Sequence, residues 1–147
     1  MKKSLLYRLF RLGAVPRKLR TVLAVEGIVV ADEGMRGWLI FKNVKGPKKR
    51  YLNRAEGFSG CLVITRHRIL CYTFGRRQIN ISVDDPHITD LLAAVPRPGQ
   101  LSLSFESGVM LPGWSGRMEF RFHTDKAGQF QEALLSLGAQ PGSPGSE

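Results

Sequence analysis

The spacing of apolar positions changes period along this 147-residue chain. Near the start, Leu5, Leu6, Leu9, Phe10 and Leu12 fall within an arc of about 160° at helical spacing, with Tyr7, Arg8 and Arg11 opposite. That spacing predicts a short helix over 4–12, ended by Gly13 and Pro16, since proline cannot continue a helix. A weaker helical stretch, 17–25, puts Leu19, Val22 and Leu23 on one side and closes at Gly27. From there the period is two. Residues 27–31 form a β-branched run, Asp32, Glu33 and Gly34 carry turn chemistry, and 38–41 read as a second strand. Gly46 and Pro47 mark another turn, after which Tyr51 and Leu52 pair weakly. Residues 60–65 and 69–74 are strong strands joined across Arg66, His67 and Arg68. Gly75, Arg76 and Arg77 turn into 78–83, where Ile79, Ile81 and Val83 alternate with Gln78, Asn80 and Ser82, giving an antiparallel strand with one wet face.

Asp84, Asp85 and Pro86 break the sheet, and 88–95 are expected to form one or two helical turns. Leu101, Leu103 and Phe105 alternate with serines, and Met118, Phe120 and Phe122 alternate with Glu119, Arg121 and His123, across a loop from Gly108 to Gly116. One clean helix closes the pattern over 125–137, with Thr124 or Asp125 as its cap. Its stripe is Phe130, Leu134 and Leu137 with Ala127 and Ala133, and Gly138 stops it. The tail, 139–147, is rich in Pro, Gly and Ser and is expected to be disordered. Strands followed by a terminal helix define an α+β domain: a curved antiparallel sheet or partly open barrel of about seven strands, covered by the helix. The organisation expected is a basic helical extension over 1–25, one domain over 26–138, and the tail.

Charge divides the chain differently. Thirteen of its 22 basic residues lie in two acid-free windows, 1–25 and 42–54, and the rest carries nine basic against twelve acidic side chains. The net charge of +10 is therefore two patches on a slightly acidic body, and a patch of one sign indicates a partner of the other. Two cysteines make no disulfide framework, which favours a reducing, cytoplasmic setting. The longest apolar run, residues 91–95, is far shorter than the roughly 18 residues a membrane span needs. The N-terminus begins like a secretory signal, but Arg8 and Arg11 interrupt its apolar core; the stretch also has the composition of a mitochondrial transit peptide. A retained segment is the preferred reading.

The strand pair Gly60-Cys61-Leu62-Val63-Ile64-Thr65 and His67-Arg68-Ile69-Leu70 is similar to the G-x-L-x-I-T-x-x-R-L pair of the pleckstrin-homology-like superfamily, in its GRAM and bacterial PH-like branches. The strand over 78–83 before Asp84-Asp85-Pro86, the run Gly116-Arg117-Met118-Glu119-Phe120-Arg121-Phe122 and the closing helix extend the resemblance over about 110 residues. It implies a module that binds lipid headgroups or proteins and is not catalytic. Phosphoinositide-binding members carry their cations in the first strand-to-strand loop. Here that loop is read as residues 32–36, with two acids, and the basic cluster as one connection later, so inositol-phosphate specificity is not implied.

Catalytic and metal chemistry find little footing. His67, His87, His123, Cys61 and Cys71 show no CxxC, HxH or HExxH spacing. Neither a G-x-S-x-G elbow nor a phosphate-cradling glycine motif occurs. Asp84 and Asp85, adjacent on an extended chain, point apart and cannot share a proton. No enzyme activity, cofactor, metal or small-molecule substrate is expected.

What remains is binding. Lys45, Lys48, Lys49, Arg50 and Arg54, with Arg8, Arg11, Arg17, Lys18 and Arg20, are the candidate contacts to an anionic lipid surface, at about 1 kcal/mol each. Leu5, Leu9 and Phe10 are candidates to insert into that surface or to meet a protein partner; the plain alternative is that they pack on the domain. Nucleic acid is the rival partner, with Tyr7, Phe10, Trp38, Phe41, Tyr51, Phe58 and Tyr72 interleaved among the cations as stacking platforms. A third reading is a structural module that pairs with itself or another protein through an exposed strand edge or the N-terminal helix.

Overall fold

The computed structural model describes residues 3, 4, 7, 8 and 13–142. Its centre is one long hairpin, β1 (Ile28–Lys45) and β2 (Arg50–Thr65), antiparallel along its whole length. β3 (Arg68–Thr73) and β4 (Arg76–Ser82) extend the sheet beyond β2; β7 (Ser115–His123), β6 (Gln100–Glu106) and β5 (Leu92–Arg97) extend it beyond β1. A two-residue β8 (Gln140–Pro141) lies parallel to β5 and ends the order β4-β3-β2-β1-β7-β6-β5-β8. The protein is α+β: a curled, half-barrel sheet with a helix in its C-terminal region, preceded by an N-terminal helix, an arrangement consistent with a PH-like fold.

The concave face holds the core. Phe105, Phe120 and Phe122 are fully buried, and successive ring centroids lie 5.9 Å and 6.0 Å apart. Phe58 joins them at 5.5 Å from Phe122, in an edge-on arrangement favourable for aromatic pairs. α2 (Ala127–Leu137) closes this face with Phe130 and Leu134 and ends on Gly138, whose φ of 115° is the left-handed cap a side chain resists. Thr124 Oγ1 accepts the Lys126 N–H at 3.1 Å at the helix start, while Asp125 lies outside the helix.

α1 (Arg17–Glu26) packs on the opposite, convex face. Leu23, 1% exposed, sits against Val63 and Leu70, with Val15, Leu19, Ala31 and Tyr72 around it. Glu26 accepts from Thr65 Oγ1 at 2.9 Å and Arg68 Nε at 3.1 Å, fastening the helix end to the β2–β3 turn.

Three elements differ from the sequence reading. The turn expected at Asp32, Glu33 and Gly34 is an irregularity inside β1, where the register with β2 shifts between Asp32 and Met35 and Gly34 takes φ 69°. Tyr51 and Leu52 belong to a full 16-residue strand. Residues 88–95 are helical only at their start: a 3-10 turn over Pro86–Asp90, capped by Asp85, leads into β5, which takes up 92–95. A short apolar run fits either state, and here Ala93 in the core and Ala94 on the other face are both covered, which favours a strand. Of the expected disordered tail, Gln140 and Pro141 pair with β5 and Gly142 N–H bonds Ala93 O; residues 143–147 lie outside the described residues.

Candidate functional site: a basic hairpin tip and a docked N-terminal arm

The β1–β2 connection is residues 46–49, so the second basic window is the tip of the central hairpin. Gly46 N–H bonds the Lys49 carbonyl at 2.8 Å and closes the turn. Its lack of a side chain lets the Trp114 ring pack directly against it, and Gly116, at φ 100°, lies against the Asn43 carbonyl. The tip is thus braced by the loop leading into β7. Lys45, Lys48, Lys49 and Arg50 are all exposed, and among the described residues none forms an ion pair. Arg54 differs: it pairs with Glu56 at 2.8 Å and stacks on the Tyr51 ring at 5.0 Å. Lys42 turns toward Glu119, 4.0 Å away. Because β1 runs unbroken through the acidic residues 32 and 33, the basic cluster occupies the first strand-to-strand connection, not the second.

The first basic window serves another purpose in part. Glu33 accepts from Val15 N at 2.7 Å, Tyr7 Oη at 3.1 Å and Arg20 Nη2 at 3.0 Å. Asp32 accepts from Lys3 Nζ at 2.6 Å and Thr124 Oγ1 at 2.7 Å, and Lys3 also donates to the Glu33 carbonyl. Burial pushes both carboxyls up, but these hydrogen bonds and cations outweigh it and hold each below its ordinary value. Arg20, a candidate surface cation, is therefore engaged by the domain. Arg8, Arg17 and Lys18 are exposed and without an ion pair among the described residues. Leu5, Leu9, Phe10 and Arg11 lie outside the described residues.

The two windows do not meet. The arm reaches β2 at Ser59, where Ser4 bonds its hydroxyl at 2.5 Å. Nine residue steps of β2, a strand length of about 30 Å at roughly 3.3 Å per residue, separate that point from Arg50 at the tip. The rings proposed as stacking platforms are mostly committed elsewhere: Phe41 and Phe58 are core, Tyr51 packs on Phe41 at 4.9 Å, Tyr72 lies beneath α1 and Tyr7 bonds Glu33. Trp38, 49% exposed, is free to stack, as is Phe74, which the sequence reading did not include.

The remaining reactive groups are quiet. Cys61 and Cys71 are free thiols buried in β2 and β3; burial pushes Cys61 up to about 11 and Cys71 higher than the ordinary thiol value. Among the described residues no three His, Cys, Asp or Glu side chains are placed to hold a metal ion, and no helix is long and apolar enough to cross a membrane. The residues the sequence reading missed are Asp32 and Glu33. Their signal was present: two adjacent acids in a β-branched run, following an acid-free cationic window that needs compensation. Compared with known proteins, the chain matches no family model and no curated protein.

Proposed function

We propose that this chain is a non-catalytic, PH-like module that docks peripherally on an anionic membrane surface through the tip of its central hairpin. The observation that carries the reading is the set Lys45, Lys48, Lys49 and Arg50: four exposed cations within six residues, without an ion pair among the described residues, on a turn braced by Trp114. Each such cation contributes about 1 kcal/mol near an anionic bilayer. The resemblance to PH-like domains adds that phosphoinositide-binding members place their cations in this same first connection. The N-terminal arm belongs to the domain in this reading, with α1 burying its apolar face on Val63 and Leu70. Nucleic acid is supported less, since its stacking rings are largely core.

Co-sedimentation with vesicles tests it. Binding should rise with the fraction of phosphatidylserine, fall as salt is raised, and vanish when Lys45, Lys48, Lys49 and Arg50 are all changed to Gln. A wild type that ignores anionic vesicles but shifts a random oligonucleotide with a steep salt slope would overturn it.

A further inference from the structure

β3 pairs with β2 only over residues 60–64. The Phe74 N–H then bonds the Ser59 carbonyl at 3.0 Å, and the chain turns away through two left-handed residues, Phe74 at φ 50° and Gly75 at φ 79°. β2 continues to Arg50 with β1 on one side and, among the described residues, no strand on the other. The Ser59 carbonyl faces the β3 side. Backbone groups alternate along a strand, and the register with β1 is unbroken from Gly60 to Asn53. Gly57, Ala55 and Asn53 therefore aim their N–H and C=O outward as well. These three residues are exposed, and their small side chains do not shield the edge.

Natural edges are blunted by shortness, proline, bulges or charged side chains, and of these the stretch has only Arg54 and Glu56, which neutralise each other. This stretch has no proline and no register shift between Asn53 and Gly60. Beneath the edge, Leu39, Glu56, Phe58, Phe74, Arg76 and Gln78 line a cavity of about 390 Å³, placed to receive alternate side chains of an added strand, with the Glu56 carboxylate paired to Arg54. The edge lies between cations: Lys48, Lys49 and Arg50 at one end, Arg76 and Arg77 at the other, with Arg54 and Glu56 paired between them. A second copy pairing edge to edge would bring the tip cations of one chain toward Arg76 and Arg77 of the other, and like charges oppose that.

We propose that the outer edge of β2, from Asn53 to Gly57, takes up an extended acidic peptide segment of a protein partner as an additional strand. Main-chain hydrogen bonds to Asn53, Ala55 and Gly57 give the contact its direction, the cavity takes an apolar side chain, and the flanking cations select carboxylates. The backbone contacts belong to the hairpin's middle, while Lys48, Lys49 and Arg50 are shared with the membrane reading; a substitution confined to the edge backbone therefore separates the two.

The test uses labelled peptides of about ten residues on the full chain: alternating Glu and Val, the same composition interrupted by Pro, and alternating Lys and Val. The Glu–Val peptide should bind about tenfold or more tighter than either control by fluorescence anisotropy, and saturating peptide should slow amide exchange at Ala55 and Gly57 by a similar factor. Ala55→Pro removes an outward N–H without touching the β1 ladder, so it should abolish peptide binding and leave vesicle binding unchanged. Should that variant misfold, exchange on the wild type decides. Equal binding of the Pro-interrupted peptide would mean charge attraction alone and overturn the proposal. So would protection of Ala55 and Gly57 in a peptide-free dimer, or an oligonucleotide that displaces the Glu–Val peptide while exchange at the edge stays fast.

Discussion

The Glu33 carboxylate accepts from the Val15 N–H, the Tyr7 hydroxyl and the Arg20 guanidinium, three groups contributed by a segment that also meets the sheet through Lys3 on Asp32, Ser4 on Ser59 and the packing of α1. Hydrogen bonds to a charged group are worth more than neutral ones, so Glu33→Ala should cost about 1.5–3 kcal/mol in denaturant unfolding and expose residues 13–16 to protease. The sign of its pH dependence follows from the lowered pKa values. Asp32 and Glu33 titrate below their ordinary 3.8 and 4.5 when folded and near those values when unfolded. Their stabilisation is fully present above the unfolded values, starts to fall as pH drops through 4.5 and 3.8, and is gone once pH passes below the folded values. Melts across that range should show an acid loss that Glu33→Gln makes shallower; an unchanged profile would mean the arm does not depend on this carboxylate. At the same scale, Cys61 and Cys71 are held as neutral thiols by burial, so iodoacetamide at pH 8 should label neither in the native protein and both in denaturant.

Among the elements, α1 decides whether the N-terminal window is an appendage or part of the fold. Leu23 is buried against Val63 and Leu70, in a cluster separate from the main core, so Leu23→Ala should cost about 2–3 kcal/mol, the lower part of the usual range for buried leucines. Removal of 1–25 should leave Val63, Leu70 and Tyr72 exposed and lower solubility; full stability without those residues would refute the docking. The hairpin tip rests on Gly116, where φ is 100° and an added methyl would meet the Asn43 carbonyl. Gly116→Ala should cost about 1–3 kcal/mol and weaken any binding that depends on the tip. Much of this was readable in advance. Strict alternation marked β4, β6 and β7, and Phe130, Leu134 and Leu137 marked α2. What failed was local chemistry overridden by distant partners. Asp32-Glu33-Gly34 has the composition of a turn, yet Lys3, Val15, Arg20 and Thr124 hold it in a strand. Residues 91–95 carry no period that separates a helix from a strand covered on both faces. The tip cations were legible from charge alone, but their position depended on β1 being one strand, which no local signal revealed.

For the whole molecule, the +10 net charge resolves into sites that do not act together. Lys3 and Arg20 are answered by Asp32 and Glu33, which leaves Arg8, Arg17 and Lys18 exposed on the arm and Lys45, Lys48, Lys49 and Arg50 exposed at the tip. The arm docks at Ser59 and Asp32, nine to twelve residue steps of strand from Arg50, a contour of about 30–40 Å against a screening length of about 8 Å at physiological salt, so each group's field is largely screened at the other. A surface met end-on by the tip then lies beyond the reach of the arm. Reversing charge at one site should consequently have no echo at the other. Lys48→Glu with Lys49→Glu should lower partitioning onto phosphatidylserine vesicles by about thirtyfold or more, since two lost contacts at about 1 kcal/mol each already give that factor. Arg17→Glu with Lys18→Glu should leave it within about twofold at the same salt. Equal losses from the two pairs would mean that the molecule lies lengthwise on the surface and that both windows touch it, which the tip-only docking forbids.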